Sequence, residues 1–172
     1  MPDYPQTETH IEVHKFRVWA VVAVAAAALL LQSFMPVYFP HLRILELPLL
    51  ITLYFGFSQR NPSSGLLLGM VIGLVQDSLG GGQIGLYGIA KTVTGFLASS
   101  FGSRIDVDNP LSRFGLTAVF FIIHQGTYVL TRRLLLGESE VFFTSHLAIA
   151  AGVNAALAAL LFPLLDKLRL PS

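Results

Sequence analysis

The chain has 172 residues, 53% of them hydrophobic and only 12% charged, with a net charge of +1 and a mean hydropathy of +0.67. That balance is too apolar for a water-soluble domain of this size and reads as a polytopic membrane protein. Basic residues scattered singly at the ends of apolar runs exclude the patch that nucleic-acid binding needs, and the absence of cysteine excludes disulfides, thiolate catalysis and cysteine-ligated metal.

Residues 1–16, "MPDYPQTETHIEVHKF", are polar without a core-forming pattern and are expected to be a flexible cytoplasmic tail. Residues 17–168 are expected to form one transmembrane domain of six apolar segments, an all-α membrane protein. The first, 18–35, follows Lys15 and Arg17 like a signal sequence. At about 18 residues it exceeds a usual signal-peptide core, and more apolar segments follow, so it reads as an uncleaved span closed by Pro36 and Pro40. The second, 44–57, is short and holds Glu46 and Pro48; alone it would also suit an interfacial or re-entrant segment. The third, 64–79, and fourth, 84–103, are joined by a glycine turn, and the fifth and sixth cover 114–131 and 142–165. The connections leave no room for a soluble domain.

Charge asymmetry orients this arrangement. With six spans and a cytoplasmic N-terminus, Lys15, Arg17, Arg60, Arg104, Arg113, Lys167 and Arg169 face the cytoplasm, while Arg43, Arg132 and Arg133 lie outside. Both termini are therefore expected in the cytoplasm, and the second segment is expected to span, because without it every later loop changes side.

The third segment carries Gly65, Gly69 and Gly73 at four-residue spacing, a ridge of small residues along which a second helix can approach closely in lipid. Asp77 is the next step, turned only about 40° from Gly73 on a helix of 3.6 residues per turn, so it should point at protein. The fourth segment has a small face of its own, Gly88, Thr92, Gly95 and Ser99, with Lys91 beside it. Gly80, Gly81, Gly82 and Gly85 form the turn between the two, which predicts a close antiparallel hairpin. Asp77 and Lys91 should differ in depth by roughly 5 to 6 Å, a gap a lysine stem can bridge. An unpaired charge at the bilayer centre costs about 2.5 to 3.5 kcal/mol, so this pair is expected either to lock the hairpin as an ion pair or to line a polar pocket or partner contact.

His124 and Gln125 in the fifth segment and Asn154 in the sixth are placed for interhelical hydrogen bonds. His124 and His146, roughly 22 residues apart on different segments, lack metal-ligand spacing. There is no GxSxG, and "SLGGGQIG" lacks the lysine and preceding strand of a phosphate loop. No catalytic, cofactor-binding or metal residue is expected.

The stretch "SGLLLGMVIGLVQDSLGGGQIGLYGIAKTVTGFLAS", preceded by "LRILELPLLITLYFGF", resembles the rod shape-determining protein MreD family: a glycine-spaced helix ending in an acid, a glycine turn and a small-faced helix. The resemblance runs over about residues 15 to 168; three consecutive glycines, and Glu46 and Pro48 inside the second span, depart from the pattern. It implies six transmembrane helices in a fold similar to the substrate-binding (S) subunit of energy-coupling-factor vitamin transporters. It further implies a non-enzymatic scaffold in the bacterial inner membrane that binds MreC and, through it, the MreB filament, a SEDS glycan polymerase and a penicillin-binding transpeptidase. The competing expectation is a small-molecule-binding subunit of a vitamin-type transporter, with a polar pocket near Asp77, Lys91, His124 and Asn154.

Overall fold

The computed structural model describes residues 16–81, 83–102, 109–138 and 145–170. The expected tail, apart from Phe16, lies outside the described residues, as do Gly82, Arg104 and the stretches 103–108 and 139–144 into which the expected fourth and sixth segments run. Six α-helices are present among the described residues: α1 (Val18–Tyr38), α2 (Leu47–Gln59), α3 (Pro62–Gly80), α4 (Leu86–Gly102), α5 (Pro110–Leu136) and α6 (Ser145–Asp166). A short 3-10 turn, Pro40–Ile44, leads from α1 into α2.

Local chemistry sets several of these ends. Asn61 and Asn109 each precede a proline, and their side-chain oxygens accept from the N–H groups of Ser63 (3.0 Å) and Leu111 (2.9 Å). This satisfies a first-turn donor while proline sits where its missing N–H is not needed. At the other ends, α3 and α5 stop on Gly81 and Gly137, both with left-handed backbone (φ 63° and 69°). Pro36 does not close α1 but lies inside it, two residues before its end at Tyr38.

The helices divide by length. α1, α3, α5 and α6 are long and apolar enough to cross a membrane. α2 has 13 residues and α4 has 17, about 20 and 25 Å of helix against a hydrocarbon thickness of about 30 Å. Of these two, α2 occupies the interior, while α4 keeps an exposed face that includes Ile89, Phe96 and Phe101. Every residue of α2 from Pro48 to Ser58 is buried, and α2 meets all five other helices, while α4 packs on α2, α3 and α5. Where a second segment is expected over 44–57, the chain therefore enters through the 3-10 turn and the irregular link Leu45–Glu46 before the helix begins.

The α3–α4 contact is backbone against backbone. A methyl group at Gly69 would strike the Lys91 carbonyl, one at Gly73 the Tyr87 carbonyl, and one at Gly65 the Gly95 carbonyl and the Ser99 side chain. Gly88 and Gly95 are enclosed from the other side, by Leu74 and by the Gly65 carbonyl. Gly80, Gly81 and Gly85 have open space around them and serve the turn, where Gly81 and Gly85 (φ 63° and 109°) need left-handed backbone.

At the opposite end of the hairpin, α2 contributes aromatic rings to the core: Tyr54 and Phe55 meet Phe16 edge-on, and Phe57 meets Phe120. The Tyr54 hydroxyl donates to Asp166 Oδ1 (3.1 Å), and Asp166 also pairs with Arg113 (2.8 Å) and Arg169 (2.7 Å). This knot joins α2, α5, α6 and the segment after α6 at one end of the bundle.

Candidate functional site: the polar core at the start of α2

The link between the 3-10 turn and α2 leaves backbone groups without helical partners inside an apolar bundle, where water is not at hand to bond them. Two side-chain amides supply the missing bonds. Gln32 of α1 donates to the Leu45 carbonyl (2.9 Å) and accepts from the Leu47 N–H (3.0 Å). Asn154 of α6 accepts from the Glu46 N–H (2.8 Å) and donates to the carbonyls of Ile44 (2.8 Å) and Ala150 (2.9 Å). An amide carries both a donor and an acceptor, which is why glutamine and asparagine can each bind two backbone groups at once.

Held this way, Glu46 presents its carboxylate to the bundle interior, with 12% of its side chain exposed. Lys91 Nζ and Gln76 Nε2 both donate to Glu46 Oε2, each at 3.4 Å. Lys91 is fully buried, lies 4.5 Å from the Tyr87 ring centre and stands 3.4 Å from His124 Nε2. An ammonium can only donate, so Nε2 is the acceptor and the proton of the neutral imidazole is on Nδ1. That Nδ1 is buried without a hydrogen-bond partner, as is Gln76 Oε1. Tyr87 is stacked on Tyr128 at 4.7 Å and on His124 at 6.0 Å, completing an aromatic wall beside the ammonium.

Asp77 has a different task. Its Oδ2 accepts from the N–H groups of Gly85 (2.8 Å) and Gly88 (3.0 Å), and Oδ1 from Tyr87 (3.1 Å). It caps α4 from across the hairpin, meeting the free donors of a helix N-terminus and the positive end of its dipole.

Of the two expectations for Asp77 and Lys91, an ion pair across the hairpin or the lining of a polar pocket or partner contact, the ion pair is the one corrected: Lys91 pairs with Glu46. The physical reason is depth. α4 begins at Leu86, so its free N–H groups lie within reach of Asp77 and take both carboxylate oxygens, whereas Lys91 lies deeper, level with the start of α2. Of the four expected polar residues, Lys91 and His124 touch, Asn154 joins them through the Glu46 backbone, and Asp77 stands apart at the cap. Glu46, noted from sequence only as an acid inside the second segment, and Gln76, Tyr87 and Gln32, not singled out at all, complete the site. The signal for Glu46 was its place just before "LPLL", since an acid followed within two residues by proline is a helix-start pattern.

Removing the Asn154 amide should be expensive. Asn154→Leu strands the Glu46 N–H and the Ile44 carbonyl, each buried polar group left unpaired costing about 1–3 kcal/mol. The thermal midpoint of the detergent-solubilised protein is expected to fall by several degrees relative to wild type, and an unchanged midpoint would show that the link does not depend on Asn154.

Chemically the arrangement is a buried ion pair, a neutral imidazole and two amide clamps, and no group of three or more metal-ligating side chains occurs among the described residues. Helices of this length and polarity, closed on a polar core that fastens a discontinuous segment, define an all-helical, polytopic membrane protein. The sequence profile of the rod shape-determining protein MreD matches residues 13–169, and the chain belongs to that family. It is accordingly a rod-shape-determining membrane protein, of a family of structural components of the cell-shape machinery. No curated protein and no solved structure matches the chain.

Proposed function

We propose that this chain is a non-enzymatic scaffold of the bacterial inner membrane that binds MreC and, through it, helps to organise MreB, a SEDS glycan polymerase and a penicillin-binding transpeptidase for lateral peptidoglycan synthesis. All six helices cross or line the bilayer with both termini in the cytoplasm, in a fold like that of the substrate-binding subunit of energy-coupling-factor transporters. Family membership supports the role, and the bias of arginine and lysine toward one side supports the orientation.

One observation carries the scaffold reading. Lys91, His124 and Asn154 are fully buried and bonded to other protein groups, and Asp77 spends both carboxylate oxygens on backbone amides. The polar residues thus fasten helices to one another, which is what a rigid platform for intramembrane partners requires.

An affinity-tagged chain extracted in mild detergent is expected to bring MreC with it, and its depletion should turn rods into spheres. A chain that instead retains a small molecule through purification and cofractionates with ATPase subunits, without MreC, would overturn the scaffold reading in favour of a vitamin-type transporter subunit.

A further inference from the structure

Away from the polar core, the knot at the opposite end of the bundle encloses a cavity of about 10 Å³, lined by Tyr54, Phe57, Ser58, Arg113, Phe162 and Arg169. That is room for one group about the size of a water molecule. Four parts of the chain meet there: α2 supplies Tyr54, Phe57 and Ser58, α5 supplies Arg113, α6 supplies Phe162, and the segment after α6 supplies Arg169.

The lining divides by chemistry. Tyr54, Phe57 and Phe162 are buried rings, and the Tyr54 hydroxyl donates to Asp166. Ser58, Arg113 and Arg169 bring O–H and N–H donors, and among the described residues no carboxylate lines the cavity. Asp166 bonds both guanidiniums without being part of the lining. A guanidinium carries several N–H donors and cannot accept, so it can hold a second acceptor besides Asp166. The backbone also fixes both arginines. Arg113 sits in the first turn of α5, its N–H bonded to the Asn109 carbonyl (3.0 Å) and its side chain only 6% exposed. The Arg169 N–H donates to the Asp166 carbonyl (3.1 Å), and Arg169 bridges to Phe16, whose ring packs on Tyr54 and Phe55.

We propose that this cavity binds a single small anion of the halide class, chloride above all, with Ser58, Arg113 and Arg169 as its donors. Two guanidiniums held in place beside buried aromatic walls attract a negative charge far more strongly than they do in water, because the surroundings screen it less. Size sets the class: phosphate, carboxylate and nucleotide ligands have more heavy atoms than a space for one water-sized group admits. The bound ion joins the end of α2, the start of α5 and the segment after α6, and makes this joint sensitive to anion concentration.

The test is the thermal midpoint of the full chain in detergent as sodium chloride replaces sodium gluconate at constant ionic strength. The midpoint is expected to rise with chloride and to continue rising only with the logarithm of its concentration once the site fills, as binding to the folded state alone requires; sodium bromide should act likewise. Ser58→Ala should shift the response to about tenfold higher chloride, the effect of losing one hydrogen bond to a charged group. Ser58→Asp sets a fixed carboxylate in the cavity and should abolish the response. A midpoint that stays the same when chloride replaces gluconate would show that the cavity holds water alone and would overturn the proposal. A chloride response that Ser58→Ala leaves unchanged would place the ion elsewhere and equally overturn it. Because Ser58→Ala removes only a hydroxyl, that arm decides the matter even where Ser58→Asp does not fold.

Discussion

Gly69→Ala is expected to destabilise the protein by about 3 kcal/mol, the upper end of what one added methyl does in a packed core. The added carbon would meet the carbonyl of Lys91 and the N–H of Thr92, which are backbone atoms and cannot rotate aside. To admit it, α3 and α4 must separate, and that separation is transmitted to Gly65 and Gly73 on the same ridge, to the Asp77 cap and to the Lys91–Glu46 pair. Gly115→Ala in α5 is the matched control, because its new methyl has nothing within 4 Å. Gly115→Ala should be neutral or should gain about 0.5–1 kcal/mol from helix propensity. Thermal unfolding of the two variants in the same detergent checks both; indistinguishable midpoints would refute a ridge-packed hairpin.

The second large effect concerns the buried ion pair. Lys91→Met leaves Glu46 with an unmatched charge inside the bundle, and Glu46→Gln does the same to Lys91, each expected to cost about 3–5 kcal/mol. The double variant should be far less damaged than the sum, because neither charge then remains without its partner. A coupling energy of about 2 kcal/mol or more is expected for Glu46 with Lys91, and under about 1 kcal/mol for Asp77 with Lys91, since Asp77 spends its oxygens on α4 backbone amides. Unfolding free energies of the four species in each cycle decide it. The reverse order of couplings would restore the hairpin pair read from sequence spacing and remove Glu46 from the site.

The sequence carried a good deal of this architecture because the relevant signals are local. Six apolar runs become six helices, though α3 and α5 open before the expected 64 and 114, at Pro62 and Pro110, because their first turns are largely polar and are capped by Asn61 and Asn109. The Gly65–Gly69–Gly73 ridge was legible for the same reason: helical periodicity puts residues four apart on one face, and a face of glycines in an apolar helix has little use except close approach. Even Asp77 pointing inward followed from that periodicity.

What α2 does could not be read so. A 13-residue apolar run with an acid at its start is compatible with a short span, a re-entrant piece or an interfacial helix, and burial on all sides depends on how the other five helices surround it. Charge pairing failed for a related reason. Asp77 and Lys91 are close in sequence and on facing helices, but the partner of Lys91 comes from 45 residues away and that of the Glu46 N–H from 108 away. By itself, the sequence determined that this is a helical membrane protein with a glycine-packed hairpin and inward-facing charges, since hydropathy, helical period and turn chemistry act over a few residues. Only the tertiary structure decided which charges meet: Coulomb attraction inside a bundle acts over a few ångströms, and the depth at which α2 begins, set by packing from every neighbouring helix, brings Glu46 rather than Asp77 to Lys91.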